Sequence, residues 1–250
     1  RSPIKMTVDT KRRFSGIIRL FGQERFEIFQ KSHICVVGIG GVGSWVTESL
    51  VRHGIGTITL IDMDHIAESN INRQIHALEE TLGASKIDTM RSRALSINPE
   101  INIICIDDFL TTENLKNYIS SSHNFVIDAI DQTLVKIYLA EHCLEKNIKL
   151  VMTGGAGGKK NPSKIKLADL KKTHGDPLLL RIRQHFNKKK YPKNSSYKIP
   201  TIFSDELMIK PIVCEDEILS SDLNCAGYGS TLNVTATFAF LAVSHVLDNL

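Results

Sequence analysis

Gly38-Ile-Gly-Gly-Val-Gly43 stands between a short apolar run, His33 to Val37, and a stretch with helical spacing. Glycines at the first, third and sixth positions suit a phosphate. Gly38 permits the tight turn, Gly40 lets the backbone approach the phosphate, and Gly43 lets the following helix pack close to the strand. Asp62 lies 19 residues beyond Gly43, where an acidic side chain would reach a ribose hydroxyl. The loop alone does not choose between a redox dinucleotide and ATP. A glycine turn used only for packing is the plainer alternative.

The residues downstream separate these options. Asp64 follows Asp62, then comes Ser69-Asn-Ile-Asn-Arg-Gln74, with Lys86 12 residues later and Asp128-Ala-Ile-Asp131 beyond. Arg73 and Lys86 could neutralise phosphates as pyrophosphate leaves, and Asp131 could hold a magnesium ion. Taken singly, Arg73 could be a surface ion pair and Lys86 a solvated residue at a helix start. Taken with the glycine loop, the set suits a triphosphate. A hydride-transfer site has little need for it.

These residues need a frame. His33–Val37, Thr57–Ile61, Asn102–Ile106, Phe125–Asp128, Lys149–Met152 and Lys164–Ala168 read as strands. Helical patterns follow the glycine loop as far as Gly54, run from Lys86 to Ile97, and run from about Leu134 to Lys146. Strands alternating with helices predict an α/β chain: a Rossmann-like, doubly wound, mostly parallel sheet. Strand C-termini then share one edge, so Gly38, Asp62 and Asp131 face one crevice. Beyond Thr153 the pattern is less regular. The expected plan is an ATP-binding part over 14–153 and a substrate-binding, dimer-associated part over 154–250, integrated into one domain. Gly154 to Gly158 (GGAGG) reads as a flexible loop or a close approach, and its carbonyls could hold a monovalent cation.

Composition excludes several classes. The 250 residues are 42% hydrophobic and 23% charged, which disfavours a disordered chain. Five cysteines, at 35, 105, 143, 214 and 225, form no CxxC pair, so no zinc site is expected and a reducing cytoplasm fits. Cys35 falls in a buried strand. Arg1 to Lys5 precede Met6, and Arg19–Phe29 is too charged for a signal sequence. Ala226–Leu247 has no Asp, Glu, Lys or Arg, yet it carries three threonines, Asn233 and His245. A buried core helix is the preferred reading, with peripheral membrane association by this segment the lesser one. The net charge of +4 hides an asymmetry: 159–198 holds 13 basic and 2 acidic residues, a net of +11, against −7 elsewhere.

GIGGVGSW, ITLIDMD, SNINRQIHAL, DAID and VMTGGAGG together resemble the ubiquitin-activating-like adenylyltransferases. Within that superfamily, RRFSGIIRLFG, NRQIHAL, TGGAGG, CAGYGS and TATFAFLAVSHVL resemble the tRNA threonylcarbamoyladenosine dehydratases, from about Phe14 to His245. The resemblance implies an ATP-dependent, AMP-forming cyclisation of a threonylcarbamoyl group on tRNA. Gly38, Gly40, Gly41 and Gly43 would form the ATP loop, and Asp62 would bind the ribose. Asn70, Arg73, Gln74 and Lys86 would surround the phosphates, and Asp131 would bind magnesium. Arg13 resembles an arginine that reaches the partner subunit's nucleotide, which implies a homodimer. The family also suggests a sulfur-acceptor protein of the cysteine desulfinase system as a partner. Absence of the CxxC pairs usual in sulfur-carrier activators favours the dehydratase over them. Cys225 resembles a family cysteine and is read as an acyl acceptor or, at least as well, a structural thiol. His76 is placed behind the phosphate-facing residues.

A tRNA substrate gives the basic stretch a use. Arg181, Arg183, Lys188, Lys189, Lys190 and Lys193 are the candidate phosphate contacts, with Tyr191 and Tyr197 placed to stack on unpaired bases. A solvated surface loop is the bland alternative. Three other functions compete: activation of a ubiquitin-like carrier's C-terminus, a nicotinamide-dependent oxidoreductase, and a non-catalytic binding module. The last two leave Arg73, Lys86 and Asp131 without a task.

Overall fold

The computed structural model describes residues 9–189, 195–210 and 228–250. Three short helices, α1 (Thr10–Arg13), α2 (Ser15–Phe21) and α3 (Gln23–Lys31), precede the first strand. The strands are β1 (His33–Val37), β2 (Thr57–Ile61), β3 (Asn102–Ile106), β4 (Phe125–Asp128), β5 (Leu150–Thr153), β6 (Ile165–Asp169) and β7 (Pro200–Ser204). Between and after them run α4 (Gly43–Arg52), α5 (Lys86–Ile97), α6 (Leu115–Tyr118), α7 (Thr133–Lys146), α8 (Pro177–Lys188) and α9 (Leu232–Asn249). They form one seven-stranded sheet in the order β3-β2-β1-β4-β5-β7-β6. Every neighbouring pair is parallel except β6 with β7.

Both faces of the sheet are covered, which is why β1 is apolar almost without interruption. Ile34 and Val36 join a core with α3, α4, α5 and α9, while Cys35 and Val37 join one with α7 and α8 on the other face. The order reverses between β1 and β4, as expected of the doubly wound sheet. The helices after these two strands, α4 and α7, therefore pack on opposite faces of the sheet, and the switch point lies at the carboxyl ends of β1 and β4.

The first four strands and α5 fall where the sequence places them, and β5 and β6 lie one residue later. The second part is more regular than expected. The basic stretch contains α8, whose Leu179, Ile182 and Phe186 are buried. Asp176 starts that helix by accepting from the amides of Leu178 (2.8 Å) and Leu179 (3.2 Å), with Pro177 in the first turn. β7 then pairs with β5 and β6 with β7, so both strands continue the same sheet. α9 has Val234, Phe238, Ala242 and Val246 fully buried in the core it shares with α4. None of the described helices is long and apolar enough to cross a membrane.

Candidate active site

The glycine loop links β1 to α4 at the switch point. Gly38 has φ +85°, and a β-carbon there would lie 2.8 Å from Ile130 Cγ2 and 3.0 Å from the Ala129 carbonyl oxygen. The turn after β4 thus rests directly on the turn after β1. A β-carbon on Gly43 would sit 1.8 Å from the Gly38 carbonyl oxygen, so the helix can approach the strand only without one. At Gly40 the nearest atom to an added β-carbon is Gln74 Nε2, 4.0 Å away. The amides of Gly40, Gly41 and Val42 have no hydrogen-bond acceptor among the described residues. Open space and unspent donors at the start of a ten-residue helix make an anion cradle.

Asp62, at the end of β2, is buried. Its carboxylate accepts from the amides of Ile39 (2.6 Å) and Asp64 (2.8 Å), so it fixes the loop's first turn as well as facing the crevice. Lone pairs remain on both oxygens. Asn70 is buried and its Oδ1 accepts from the Ala67 amide at 3.0 Å, which shapes the turn that presents Arg73. The aliphatic stem of Arg73 lies along Gly41. Its guanidinium donates to the Ser69 carbonyl (2.7 Å) and Asn72 Oδ1 (3.0 Å), and its own carbonyl accepts from Trp45 Nε1 at 2.9 Å. A surface ion pair is therefore not its role in the fold.

Lys86 corrects the plainer sequence reading. It is buried, not solvated, and its ammonium meets Asp64 Oδ2 at 2.8 Å. Asp64, half exposed, is thus part of the site. Its place two residues after Asp62 was the signal for it. Behind Lys86 lies His76, 1% exposed. Burial, reinforced by Lys86 and Arg93, pushes its imidazole down to about 4, so it is neutral at physiological pH. Ser44 Oγ, Gln74 Oε1 and both His76 ring nitrogens are buried without a hydrogen-bond partner among the described residues. Unspent polar atoms around a phosphate loop fit a site built for a polar ligand.

Asp131 follows Ile130 and is exposed, with no hydrogen bond or ion pair among the described residues. Its neighbour Ile130 packs against Gly38, so the Asp131 backbone follows directly from the turn that meets the glycine loop. Asp128, three residues earlier, is wholly buried and pairs with Lys136 at 2.8 Å. Burial raises its carboxyl above the usual range, and Lys136 opposes that.

Other expected residues lie elsewhere. Arg13 donates to the Ile97 carbonyl at the far end of α5, about 16 Å along that helix from Lys86. It does not join the crevice of its own chain. Gly155 N–H donates to Asp176 Oδ2 at 2.7 Å, and a β-carbon on Gly154 would be 2.4 Å from that oxygen. The GGAGG segment is therefore a close approach to α8. Arg181 and Lys188 are exposed on α8, whereas Arg183 turns inward to Thr173 Oγ1 at 2.7 Å and Lys189 pairs with Glu141. Tyr197 is a correction: it is 2% exposed, packs on Phe186 and bonds to Asn187, so it cannot stack on a base. Cys225, Lys190, Lys193 and Tyr191 lie outside the described residues.

An anion cradle at a Rossmann-type switch point, with the stem of Arg73 along Gly41, is the arrangement of a nucleotide-binding class. The ThiF family model matches residues 14–247, and the chain belongs to that family. Within it, the chain is 44% identical over 245 residues to the tRNA threonylcarbamoyladenosine dehydratase of Haemophilus influenzae, covering 96% of this chain and 94% of the relative. The crystal structure of the E. coli tRNA N6-threonylcarbamoyladenosine dehydratase, TcdA, in complex with ATP is similar at a TM-score of 0.88 and 41% identity. That match covers 98% of this chain and 96% of the other. The molybdopterin-synthase adenylyltransferase of E. coli is more distant, 31% identical over 54% of each chain.

Proposed function

We propose that this chain is an ATP-dependent tRNA threonylcarbamoyladenosine dehydratase. The observation that carries the reading is the cradle of unpartnered amides at the switch point, in a chain similar over nearly its whole length to enzymes of that name. The threonine carboxylate is a poor electrophile because oxide would have to leave. Its attack on the ATP α-phosphorus forms an acyl-adenylate and expels pyrophosphate. A ureido nitrogen then closes onto the activated carbonyl and AMP leaves, carrying away the carboxylate oxygen. The ureido proton is released, and the nucleoside has lost one water.

Closure is intramolecular and needs no enzyme nucleophile. The loop amides hold the phosphates. Arg73 and Lys86 offset charge on the departing pyrophosphate, where preorganised donors act most strongly. Asp62 orients the ribose. Asp131 would hold magnesium, which neutralises phosphate charge when bound.

A second copy of the chain would supply Arg13. Its distance from its own crevice supports service in a partner's site and hence a homodimer. Arg181 and Lys188 supply tRNA phosphate contacts. Lys188 ends α8, about 16 Å from the GGAGG segment.

The direct test is nucleoside mass after incubation with ATP, magnesium and tRNA carrying the threonylcarbamoyl group. Loss of one water, only with ATP, is expected. No mass change, with ATP consumed when a Gly-Gly-tailed carrier protein is added, would point to carrier activation instead. For the RNA face, Arg181→Ala with Lys188→Ala should weaken tRNA binding and lower the slope of log K against log salt by about one to two. An unchanged slope rejects these contacts.

A further inference from the structure

We infer that Lys136 is a positioning residue for Asp131: its buried ammonium closes the turn that carries Asp131 against the glycine loop. The inference rests on the proposed role of Asp131. Lys136 stands in the first turns of α7 with its side chain 0% exposed. Its Nζ donates to Asp128 Oδ1 at 2.8 Å and to the Ile130 carbonyl at 2.9 Å. The Ile130 amide donates to the same Asp128 oxygen at 3.3 Å. One ammonium thus gathers the last residue of β4 and the residue just before Asp131.

Both ends of this arrangement are anchored. The Asp128 carbonyl accepts from Thr153 Oγ1 at 3.0 Å, which ties β4 to β5. On the other side, Ile130 Cγ2 and the Ala129 carbonyl fill the space where Gly38 lacks a β-carbon. The turn is pinned between α7 and the phosphate cradle, and Asp131 projects from it.

A buried ion pair is a poor device for stability alone. Desolvation offsets most of its attraction, and an apolar pair of similar volume serves the fold as well or better. What an apolar pair cannot supply is the bond to the Ile130 carbonyl. That bond fixes where the next residue, Asp131, stands. A displacement of a catalytic group by about 1 Å can cost about a hundredfold in rate.

Charge and position can be separated experimentally. Lys136→Met strands a buried carboxylate. Asp128→Asn with Lys136→Met leaves no buried charge but still lacks the donor to Ile130. The full-length double variant should melt close to the wild type and bind ATP, measured by calorimetry without turnover, within about threefold. Its kcat should remain about ten- to a hundredfold low. The magnesium concentration giving half-maximal turnover should rise, and Lys136→Arg, which keeps the donor, should recover part of both. Wild-type turnover in the double variant would overturn the inference. Failure of that variant to fold would also overturn it, because the pair would then serve the fold itself. Asp131→Ala is assayed alongside. If Asp131→Ala keeps turnover, the role of Asp131 fails; if it loses turnover while the double variant does not, only the role of Lys136 fails.

Discussion

Asp131→Ala should lower cyclisation about a hundred- to a thousandfold, the range for losing one preorganised electrostatic contact to a transition state. The fold should scarcely notice. Asp131 is exposed, and no hydrogen bond or ion pair of the described residues involves it. Surface substitutions of this kind usually change stability by no more than about 0.5 kcal/mol. ATP should still bind, because the loop amides, Asp62, Arg73 and Lys86 are untouched. The loss should therefore fall on kcat rather than on KM for ATP. Single-turnover formation of the cyclised nucleoside, with ATP affinity measured by calorimetry, separates the two. Retained turnover would remove Asp131 from the chemistry. Lost ATP binding would make it a ligand contact rather than a transition-state one.

The site was legible in the sequence where chemistry restricts the residue type. Gly38 reads as a tight turn and has φ +85°, and Gly43 reads as a close helix–strand approach and would put a β-carbon 1.8 Å from the Gly38 carbonyl oxygen. The strands on either side of the loop were legible because a doubly covered sheet demands apolar runs. Three features were not. α8 has buried Leu179, Ile182 and Phe186 at helical spacing, but Arg181, Arg183 and the lysines after them draw the reading towards RNA contact, and no helix is placed there. Tyr197 follows two serines and precedes Lys198, and only the fold shows it turned inward onto Phe186. The Asp128–Lys136 pair joins the end of a strand to the start of the next helix. No periodicity marks such a pair, since the bond depends on how the intervening turn folds back. Lys86 was found as a motif residue, but its burial against Asp64 is a tertiary fact.

Gly43→Ala and Gly40→Ala should fail in opposite ways, which tests what the loop is for. At Gly43 a β-carbon meets the Gly38 carbonyl oxygen at 1.8 Å, a backbone atom held by the parallel sheet. Neither helix nor strand can yield without breaking the packing of Val46 and Leu50, both fully buried. A loss of about 4 kcal/mol or more is expected in denaturant unfolding, with ATP binding gone as well. At Gly40 the added carbon finds nothing nearer than Gln74 Nε2 at 4.0 Å, and the residue does not have positive φ. Gly40→Ala should therefore fold with stability within about 1 kcal/mol of the wild type. Yet it places a methyl group where a phosphate must approach the amides, so ATP affinity should fall at least about tenfold, which is about 1.4 kcal/mol. Unchanged affinity in folded Gly40→Ala would mean that the phosphates lie elsewhere. Wild-type stability in Gly43→Ala would mean that the helix does not sit this close to the strand. If both results come out as expected, one glycine serves the packing and the other the ligand.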